Sequence, residues 1–370
     1  MTVLDDKGAS PPMSHAPADT PNLSAVRTDV DVLLTAFLDR KAHLAPGPEL
    51  APLFTVLSRL LGRGKRLRPQ LCLAGWHAGG GGGDQSTALN VAAALELFQA
   101  FALIHDDVMD GSDLRRGRPT AHRALAAAYT NDGGRRSKAE AHGVSAAILL
   151  GDLALVWSDD LLHSAGLGDE ALKRIMPLVD TMRTELVYGQ YLDLRSADRL
   201  SDDVEAALRV VRYKTAKYTV EWPLRLGAVL AGAAPHVLDA CSAFALPLGE
   251  AFQLRDDLLG VFGDPAETGK PVGDDIREGK ATVLMALAVQ RASAAEKQML
   301  RTLVGSPAAT DDDILRVKAV LQRTGAQQHV ERMINARRET ALAVLDQTVF
   351  PTVATRVLRE IVQIATVRQA

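Results

Sequence analysis

Cysteine and aromatic residues are scarce in this sequence of 370 residues. The only two cysteines, Cys72 and Cys241, lie in apolar patterns typical of helices. We therefore expect them to be small core residues in a reducing compartment, not a disulfide or a metal pair. Aromatic residues make up 4% of the chain, whereas alanine and leucine are abundant. This composition favours a helical core over a sheet.

The sequence also lacks a charge excess and a targeting segment. Its 42 Lys and Arg residues against 45 Asp and Glu residues leave a formal net charge of -3, which gives no general positive field for nucleic acid. The N-terminus carries Asp5 and Asp6 with no apolar core after them, unlike a secretory signal. No uncharged apolar run reaches the roughly 18 residues of a membrane span. We therefore expect a cytoplasmic protein with no membrane span and no nucleic-acid partner.

Apolar residues recur with helical spacing over most of the chain, and no alternating strand pattern of useful length is present. The glycine-rich stretch 79–83 and the polar stretch 130–137 predict loops. Residues 1–22 are rich in Pro, Ser, Ala and Asp without periodicity, so we expect them to be disordered. The rest of the chain, 23–370, predicts a single all-α domain. The clearest predicted helices are 23–43, 84–110, 143–163, 169–194, 202–231 and 235–262, with further helices from 275 to about 367.

Three aspartates with helical spacing form a first acidic motif. Asp106, Asp107 and Asp110 fall at the end of a predicted helix, and 3.6 residues per turn places the first and last of them on the same face. Carboxylate oxygens are ligands for Mg2+, which keeps several waters and shares its coordination shell with substrate phosphates. The motif therefore indicates a magnesium site that a phosphorylated ligand completes.

A solvated acidic surface is the simpler explanation for such a cluster, but the preceding residues argue against it. Residues 91–104 are nearly all apolar, so the aspartates emerge from a helix that is buried for most of its length. Like charges there repel each other and lose hydration unless cations offset them. A second acidic pair, Asp256 and Asp257, lies in another apolar helix, which indicates a second half of the same site.

Basic residues near glycines predict anion sites. Residues 62–69 (GRGKRLRP) combine four cations with glycines that let backbone amides approach an anion; a basic surface turn is the alternative. Arg115 and Arg116 follow the first acidic motif, and the guanidinium fork matches phosphate oxygens. Lys214 lies in an apolar helix, where it either binds the anion or extends its amine to solvent. The glycine-punctuated loop after the second acidic motif adds two lysines, Lys270 and Lys280.

Together these motifs resemble those of the trans-isoprenyl diphosphate synthase (polyprenyl synthetase) family over about 53–282. The segment 62–69 is similar to the family's GGKRxRP signature, and LIHDDVMD at 103–110 with RRG at 115–117 is similar to its first aspartate-rich region. The later family motifs are matched by GQYLD at 189–193, by Lys214 with Thr215, and by FQLRDD at 252–257. The resemblance implies an all-helical isoprenoid synthase fold, a bundle around a central active-site cavity, usually as a homodimer.

The resemblance also implies a magnesium-dependent prenyltransferase that condenses isopentenyl diphosphate head to tail with an allylic diphosphate. A cluster of about two or three Mg2+ ions would be held by Asp106, Asp107, Asp110, Asp256 and Asp257. The allylic diphosphate (dimethylallyl, geranyl or farnesyl) would be bound by Arg115, Lys214, Thr215, Gln190, Asp193, Gln253, Lys270 and Lys280. Isopentenyl diphosphate would be bound by Lys65, Arg68, Gln99 and Arg116. The side-chain oxygens that would stabilise a carbocation belong to Thr215, Gln190 and Gln253.

One position departs from the family pattern. The second acidic motif usually ends in a third aspartate, and Gly260 stands there; we expect an aspartate at this position to be tolerated. Asp264 continues the same face if the helix persists, and this spacing is also typical of class I terpene cyclases. The basic site at Lys65 and Arg68 argues against a cyclase, which has no second diphosphate to bind. A non-catalytic subunit of a heteromeric synthase is another alternative, against which the intact first acidic motif argues.

Product length is inferred from the residues four and five positions before the first aspartate. These are Ala102 and Phe101, and in the family bulky residues there floor the pocket that receives the growing chain. A single aromatic at the fifth position, without a two-residue insertion in the acidic motif, resembles geranylgeranyl diphosphate (C20) synthases. Farnesyl diphosphate (C15) is the main alternative.

Overall fold

The computed structural model describes residues 23–62, 64–197, 199–264 and 273–366, and most of these are helical. The segment 1–22 and Lys270 lie outside the described residues. The first helices are α1 Leu23–His43, α2 Ala51–Leu61, α3 Leu67–Ala78, α4 Ser86–Met109, α5 Ala121–Asn131, α6 Ala139–His163 and α7 Asp169–Ser196. A π-helix, Val211–Glu221, lies between α8 Val204–Val210 and α9 Trp222–Leu230. The remaining helices are α10 Pro235–Phe262, α11 Asp274–Arg277, α12 Val283–Arg291, α13 Ala294–Leu303, α14 Asp311–Arg323, α15 Ala326–Gln347 and α16 Thr352–Thr366. Two short 3-10 helices are Pro48–Leu50 and Arg136–Lys138.

The all-α prediction is confirmed, and most predicted helix limits agree with the structure. The helices α1 and α10 have the predicted ends, and the predicted helix 202–231 corresponds to α8, the π-helix and α9 in succession. The helix α6 begins four residues earlier than predicted, at Ala139. Gly143, taken as its start, instead lies inside it at a close helix contact, where a Cβ atom would be 2.3 Å from the carbonyl oxygen of His122.

Buried apolar side chains form three clusters that surround the middle of the bundle. One cluster joins α1, α2, α4, α6 and α7, a second joins α10 to α12–α15, and a third joins α3, α9, α10 and α16. The helix α4 belongs to the first cluster and α10 to the other two, so the helices that carry the acidic motifs are fixed by the core. Cys72 and Cys241 are free and buried as predicted, and burial raises the pKa of each thiol to about 12.

A small β-hairpin was missed in the sequence. Leu114–Arg115 pairs antiparallel with Arg118–Pro119. The two turn residues, Arg116 and Gly117, have positive φ angles of 52° and 71°, as a type I′ turn requires. Strands of two residues are too short to produce an alternating pattern, so periodicity could not reveal the hairpin.

Two of the described helical stretches, Ser86–Met109 and Arg136–His163, are long and apolar enough to cross a membrane by length and composition alone. In the first, 61% of the apolar window is buried within the protein, as in the core helix of a folded domain. In the second, only 28% is buried. A core helix of a folded protein can have the same length and composition, so these two properties alone do not indicate a membrane span.

Candidate active site

A cavity of about 1000 Å3 lies between α4, α7, the π-helix and α10. Every predicted site residue that the structure describes lines it, except Phe101. Those residues are Lys65, Arg68, Gln99, Ala102, Asp106, Asp107, Asp110, Arg115, Arg116, Gln190, Asp193, Lys214, Thr215, Gln253, Asp256, Asp257 and Lys280. The sequence motifs, which are spread over more than half of the chain, therefore meet around one space.

The first acidic motif lies at the C-terminal end of α4. Asp106 accepts hydrogen bonds from Lys214 Nζ at 2.9 Å and from Gln190 Nε2 at 3.0 Å. Arg115 Nε donates to Asp107 Oδ1 at 2.8 Å, and its Nη2 atom is 3.3 Å from Asp106 Oδ2. One arginine on the hairpin thus holds both carboxylates in place.

These contacts leave Asp106 and Asp110 in different electrostatic states. Burial acts to raise the pKa of Asp106, but the positive charges of Lys214 and Arg115 hold that pKa below its ordinary value. For Asp110, burial and the charge of Asp106 raise the pKa to about 6. Negative charge at the cavity wall is therefore only partly neutralised by the protein's own cations.

Lys214 reaches the acidic motif from the π-helix. Burial acts to lower its pKa, but the carboxylates of Asp106 and Asp193 raise the pKa above its ordinary value, so the amine stays charged. Its Nζ atom is 2.5 Å from Asp193 Oδ2. The π-helix backbone comes very close to both neighbours: a Cβ atom on Gly189 of α7 would lie 2.3 Å from the nitrogen of Lys214, and one on Gly249 of α10 would lie 2.6 Å from the Cα atom of Ala216. Two glycines thus allow the approach that places Lys214 over the cavity.

The second acidic motif lies on α10, across the cavity. Thr215 donates to Gln253 Oε1 at 2.7 Å, and Gln253 Nε2 donates to Asp257 Oδ1 at 2.7 Å. Burial raises the pKa of Asp257 to about 7 despite this hydrogen bond, and the charge of Asp275 acts in the same direction. Lys280 Nζ is 3.0 Å from Asp275 Oδ1.

Asp275 lines the cavity and was not predicted. A Cβ atom on Gly260 would lie 1.7 Å from Asp275 Oδ2, so the end of the Asp275 side chain would have to shift. The expectation that an aspartate is tolerated at position 260 stays a prediction. Asp264 does not continue the acidic face, because α10 ends at Phe262 and Gly263 is extended, with ψ 158°. Only the proximity of Asp275 to the lysine motif could have suggested it from the sequence.

A basic group lines another part of the cavity. Arg68 Nη2 donates to Thr219 Oγ1 at 2.6 Å, and its guanidinium carbon is 4.3 Å from the centre of the Tyr218 ring. Its Nε atom is buried and has no hydrogen-bond partner among the described residues. Burial and the charges of neighbouring arginines lower the pKa of Arg116. A group of cations that repel each other, with an unused donor, is suited to bind an anion.

Two residues in this region were not predicted and fix the basic group. Arg66 has a φ angle of 52° and is 4% exposed. It donates to Glu96 Oε2 at 2.6 Å and to Asp31 Oδ1 at 2.7 Å. Arg66 is thus a buried structural cation between Lys65 and Arg68. Tyr218 donates a hydrogen bond to Gln99, which orients the amide at the cavity wall.

Phe101 does not line the cavity, whereas its neighbour Ala102 does. Its ring stacks on Phe98 with centroids 5.3 Å apart and meets the His105 ring edge-on at 4.8 Å. His105 Nε2 lies 3.1 Å from the carbonyl oxygen of Ile148 on α6. These aromatic residues form a layer between α4 and α6, and the role of Phe101 in product length stays a prediction.

The donor set suits a hard cation. Both acidic motifs present carboxylate oxygens to one cavity, and oxygen ligands are those that Mg2+ prefers. Among the described residues, no three acidic, histidine or cysteine side chains converge closely enough to hold an ion by themselves. Magnesium commonly completes its shell with water and substrate phosphates, so the residues fit an ion that is bound together with a diphosphate.

Comparisons with known proteins agree with this geometry. Residues 51–321 match the family model described as polyprenyl synthetase. The chain is 34% identical over 287 residues to a geranylgeranyl diphosphate synthase of Mycobacterium tuberculosis, covering 77% of this chain and 76% of the relative. It is 33% identical over 295 residues to a geranylfarnesyl diphosphate synthase of Aeropyrum pernix, covering 77% and 83%.

A solved structure is also similar over nearly the whole chain. It is a geranylgeranyl pyrophosphate synthase from Corynebacterium glutamicum, complexed with isoprenyl diphosphate and magnesium. The TM-score is 0.90 at 42% sequence identity, and the match covers 94% of this chain and 100% of the other. The structure therefore has the isoprenoid synthase fold, and with its motifs gathered in one cavity the chain belongs to the polyprenyl synthetase family of trans-prenyltransferases.

Proposed function

We propose that the protein condenses isopentenyl diphosphate head to tail with allylic diphosphates, in the presence of Mg2+, to give geranylgeranyl diphosphate. The observation that carries this proposal is that two different groups of residues suited to bind anions line one cavity. One lies between the carboxylates of α4 and α10 with Lys214 and Lys280, and the other is formed by Lys65, Arg68 and Arg116. Two diphosphates need two such sites, whereas a terpene cyclase needs only one.

The acidic half of the cavity suits the allylic diphosphate. Asp106, Asp110 and Asp256 line the cavity and would hold Mg2+, which when bound would neutralise the charge that develops on the departing diphosphate. Arg115, Lys214 and Lys280 add fixed positive charge around the same space. The carboxylates that now pair with these three cations would instead bind the metal ions. The nitrogen donors of the cations would then be available to phosphate oxygens.

Bond formation follows from this arrangement. The bond between the allylic carbon and the diphosphate oxygen breaks, and the diphosphate leaves with the electron pair. The double bond of isopentenyl diphosphate, held by the basic group, attacks the cation, and the departing diphosphate accepts the proton that is lost. The hydroxyl of Thr215 and the amides of Gln190 and Gln253 place oxygen atoms beside this region, which stabilises positive charge on carbon.

The C20 product is supported by the cavity wall and by the relatives. Ala102 is a small residue in the cavity wall near the first acidic motif, and the adjacent Phe101 stacks on Phe98 outside the lining. The relatives from M. tuberculosis and C. glutamicum carry the name of a C20 synthase. Products of C15 or C25 are the outcomes that would correct this assignment.

The exposed apolar surface supports a homodimer. On α6, Ile148, Leu149 and Val156 are 43%, 66% and 60% exposed, and on α7 Tyr188 and Tyr191 are 61% and 62% exposed. Large apolar patches on a folded protein commonly mark an interface. We propose that this surface of α6 and α7 joins two copies of the chain, and that the protein is cytoplasmic.

The two anion sites respond differently to substitution. Asp106→Ala is expected to lower kcat by at least about 100-fold, because charge stabilisation at the leaving group is lost, while helical circular dichroism stays unchanged. Lys65→Ala is expected to raise KM for isopentenyl diphosphate by about 10-fold or more with little change in KM for the allylic substrate. Asp132→Ala, at an exposed position in the loop after α5, is the matched control. Full activity of Asp106→Ala, or of the wild type in chelator, would contradict the magnesium assignment.

The raised pKa of Asp257 predicts how the metal-free protein responds to pH. In the folded state this carboxyl holds its proton up to about pH 7, against an ordinary pKa of 3.8. Its contribution to stability is therefore complete below about pH 4 and is lost as pH rises through 7. In chelator, the melting temperature of the wild type relative to Asp257→Asn is expected to fall between pH 5 and about pH 8. A difference that is constant over this range would show that the carboxyl titrates normally.

Product length tests the roles of Ala102 in the cavity wall and of the neighbouring Phe101. Ala102→Phe adds a ring to the cavity wall and is expected to shorten the products to C15 or less. Phe101→Ala is expected to lengthen them by opening the layer behind, and to cost roughly 3 to 5 kcal/mol of unfolding free energy. Chromatography of products made from each allylic primer measures both effects. If Phe101→Ala lost stability without any change in product, Phe101 would be a core residue and the C20 assignment would lose that support.

Leu149→Glu tests the dimer surface. A charge on the exposed apolar patch is expected to convert a dimer of the 39.6 kDa chain into monomers. Val32→Glu changes an exposed apolar residue on α1, outside the patch, and serves as the control. Sedimentation equilibrium that shows a monomeric wild type, or a dimeric Leu149→Glu variant, would contradict the proposed interface.

A further inference from the structure

Glu185 on α7 contacts two residues at the end of the π-helix. Its Oε1 atom accepts a hydrogen bond from Lys217 Nζ at 2.7 Å, and its Oε2 atom accepts one from Trp222 Nε1 at 2.7 Å. Trp222 is buried, and the side chains of Glu185 and Lys217 are mostly buried. Both oxygens of one carboxylate are therefore used in a contact that no step of the proposed reaction involves.

The two donors are five residues apart, which is the spacing of a π-helix. The backbone N–H of Trp222 donates to the carbonyl oxygen of Lys217, and a hydrogen bond between residues i and i+5 defines the π-helix. In an α-helix, residues five apart project about 140° away from each other around the axis. A contact that both side chains share with Glu185 therefore stabilises the π-helix relative to an α-helix.

Glu221 is a competing partner for Lys217. Its Oε2 atom lies 3.5 Å from Lys217 Nζ, and the two residues have the i to i+4 spacing of an ion pair on an α-helix. Burial acts to lower the pKa of Lys217, but the hydrogen bond to Glu185 and the charge of Glu221 raise that pKa above its ordinary value. The amine is therefore charged, and without Glu185 its remaining carboxylate partner would be on its own helix.

The π-helix contributes residues to both halves of the cavity. In the acidic half, Lys214 Nζ donates to Asp106 Oδ1 at 2.9 Å. In the basic half, Thr219 Oγ1 accepts a hydrogen bond from Arg68 Nη2 at 2.6 Å. A change from a π-helix to an α-helix would rotate these side chains relative to both anion-binding groups.

We propose that Glu185 is a positioning residue that keeps the segment Val211–Glu221 in the π-helical form. In this form Lys214 faces the allylic diphosphate, and Arg68 is held for isopentenyl diphosphate. The inference rests on the proposed function, because that function assigns the two groups to two substrates. An ion pair that only fastened α7 to the π-helix would not explain the second hydrogen bond, from Trp222, at the spacing of one π-helical turn.

The first test removes the charge of the shared carboxylate. Glu185→Gln is expected to lower kcat/KM by about 10- to 100-fold and to raise KM for both substrates, because small displacements of positioning groups are costly. Glu170→Gln removes an exposed ion pair with Lys173 on the same helix, and this control is expected to change either KM by less than about twofold. Steady-state kinetics with each substrate varied in turn measures the effect. Circular dichroism and melting temperature establish that each variant is folded.

The second test removes the other donor. Trp222→Phe keeps an aromatic ring but lacks the N–H that donates to Glu185, and it is expected to raise both KM values by about threefold or more. The variant with both substitutions is expected to be less impaired than the product of the single effects, because each substitution disrupts the same contact. The indole N–H signal in 15N NMR that Trp222→Phe lacks is expected to shift in Glu185→Gln and to stay in place in Glu170→Gln.

The outcomes separate this inference from the proposed function. If the wild type formed no prenyl product from the two substrates, the proposed function itself would fail. If the wild type is active but Glu185→Gln loses only melting temperature, with both KM values unchanged, Glu185 is a structural residue and the inference is overturned. A rise in KM for one substrate alone would also overturn it, because the π-helix contributes to both halves. If Glu185→Gln did not fold, unchanged KM values in Trp222→Phe would overturn the inference.

Discussion

Repulsion between buried carboxylates is the constraint on which the rest of the site depends. Asp106, Asp107 and Asp110 are held at the end of a core helix, where water cannot fully screen them. Arg115 and Lys214 hold the pKa of Asp106 below its ordinary value, whereas burial raises the pKa values of Asp110 and Asp257. Bound cations, as the proposed function requires, would relieve this repulsion.

Backbone packing determines the positions of the two compensating cations, Lys214 and Arg115. The π-helix is in close contact with α7 and α10 at Gly189 and Gly249, and this places Lys214 between Asp106 and Asp193. Arg115 comes from a hairpin whose turn needs positive φ at two residues. A π-helix and a left-handed turn are irregular elements that are common at functional sites. In this protein the π-helix and the hairpin place the positive charges of Lys214 and Arg115 in the cavity.

The sequence predicted the helices and the chemical motifs well, because apolar periodicity and carboxylate spacing are local properties. The ends of α1 and α10 were predicted correctly, and every described member of the predicted site except Phe101 lines the cavity. Contacts between distant segments were not predictable in this way. The carboxylate of Asp275 beside Gly260 depends on how α11 folds back against α10, and the orientation of Phe101 depends on how α4 meets α6. Such details are set by tertiary packing.

The most direct test of this account is the metal dependence of the two diphosphate sites. Equilibrium dialysis can follow isopentenyl diphosphate and an unreactive allylic diphosphate analogue, each with and without Mg2+. The account predicts that isopentenyl diphosphate binds to the Lys65 and Arg68 site even in chelator, whereas the allylic analogue binds only with Mg2+, and that the two do not compete. Competition for a single site, or an equal need for Mg2+ by both ligands, would contradict it.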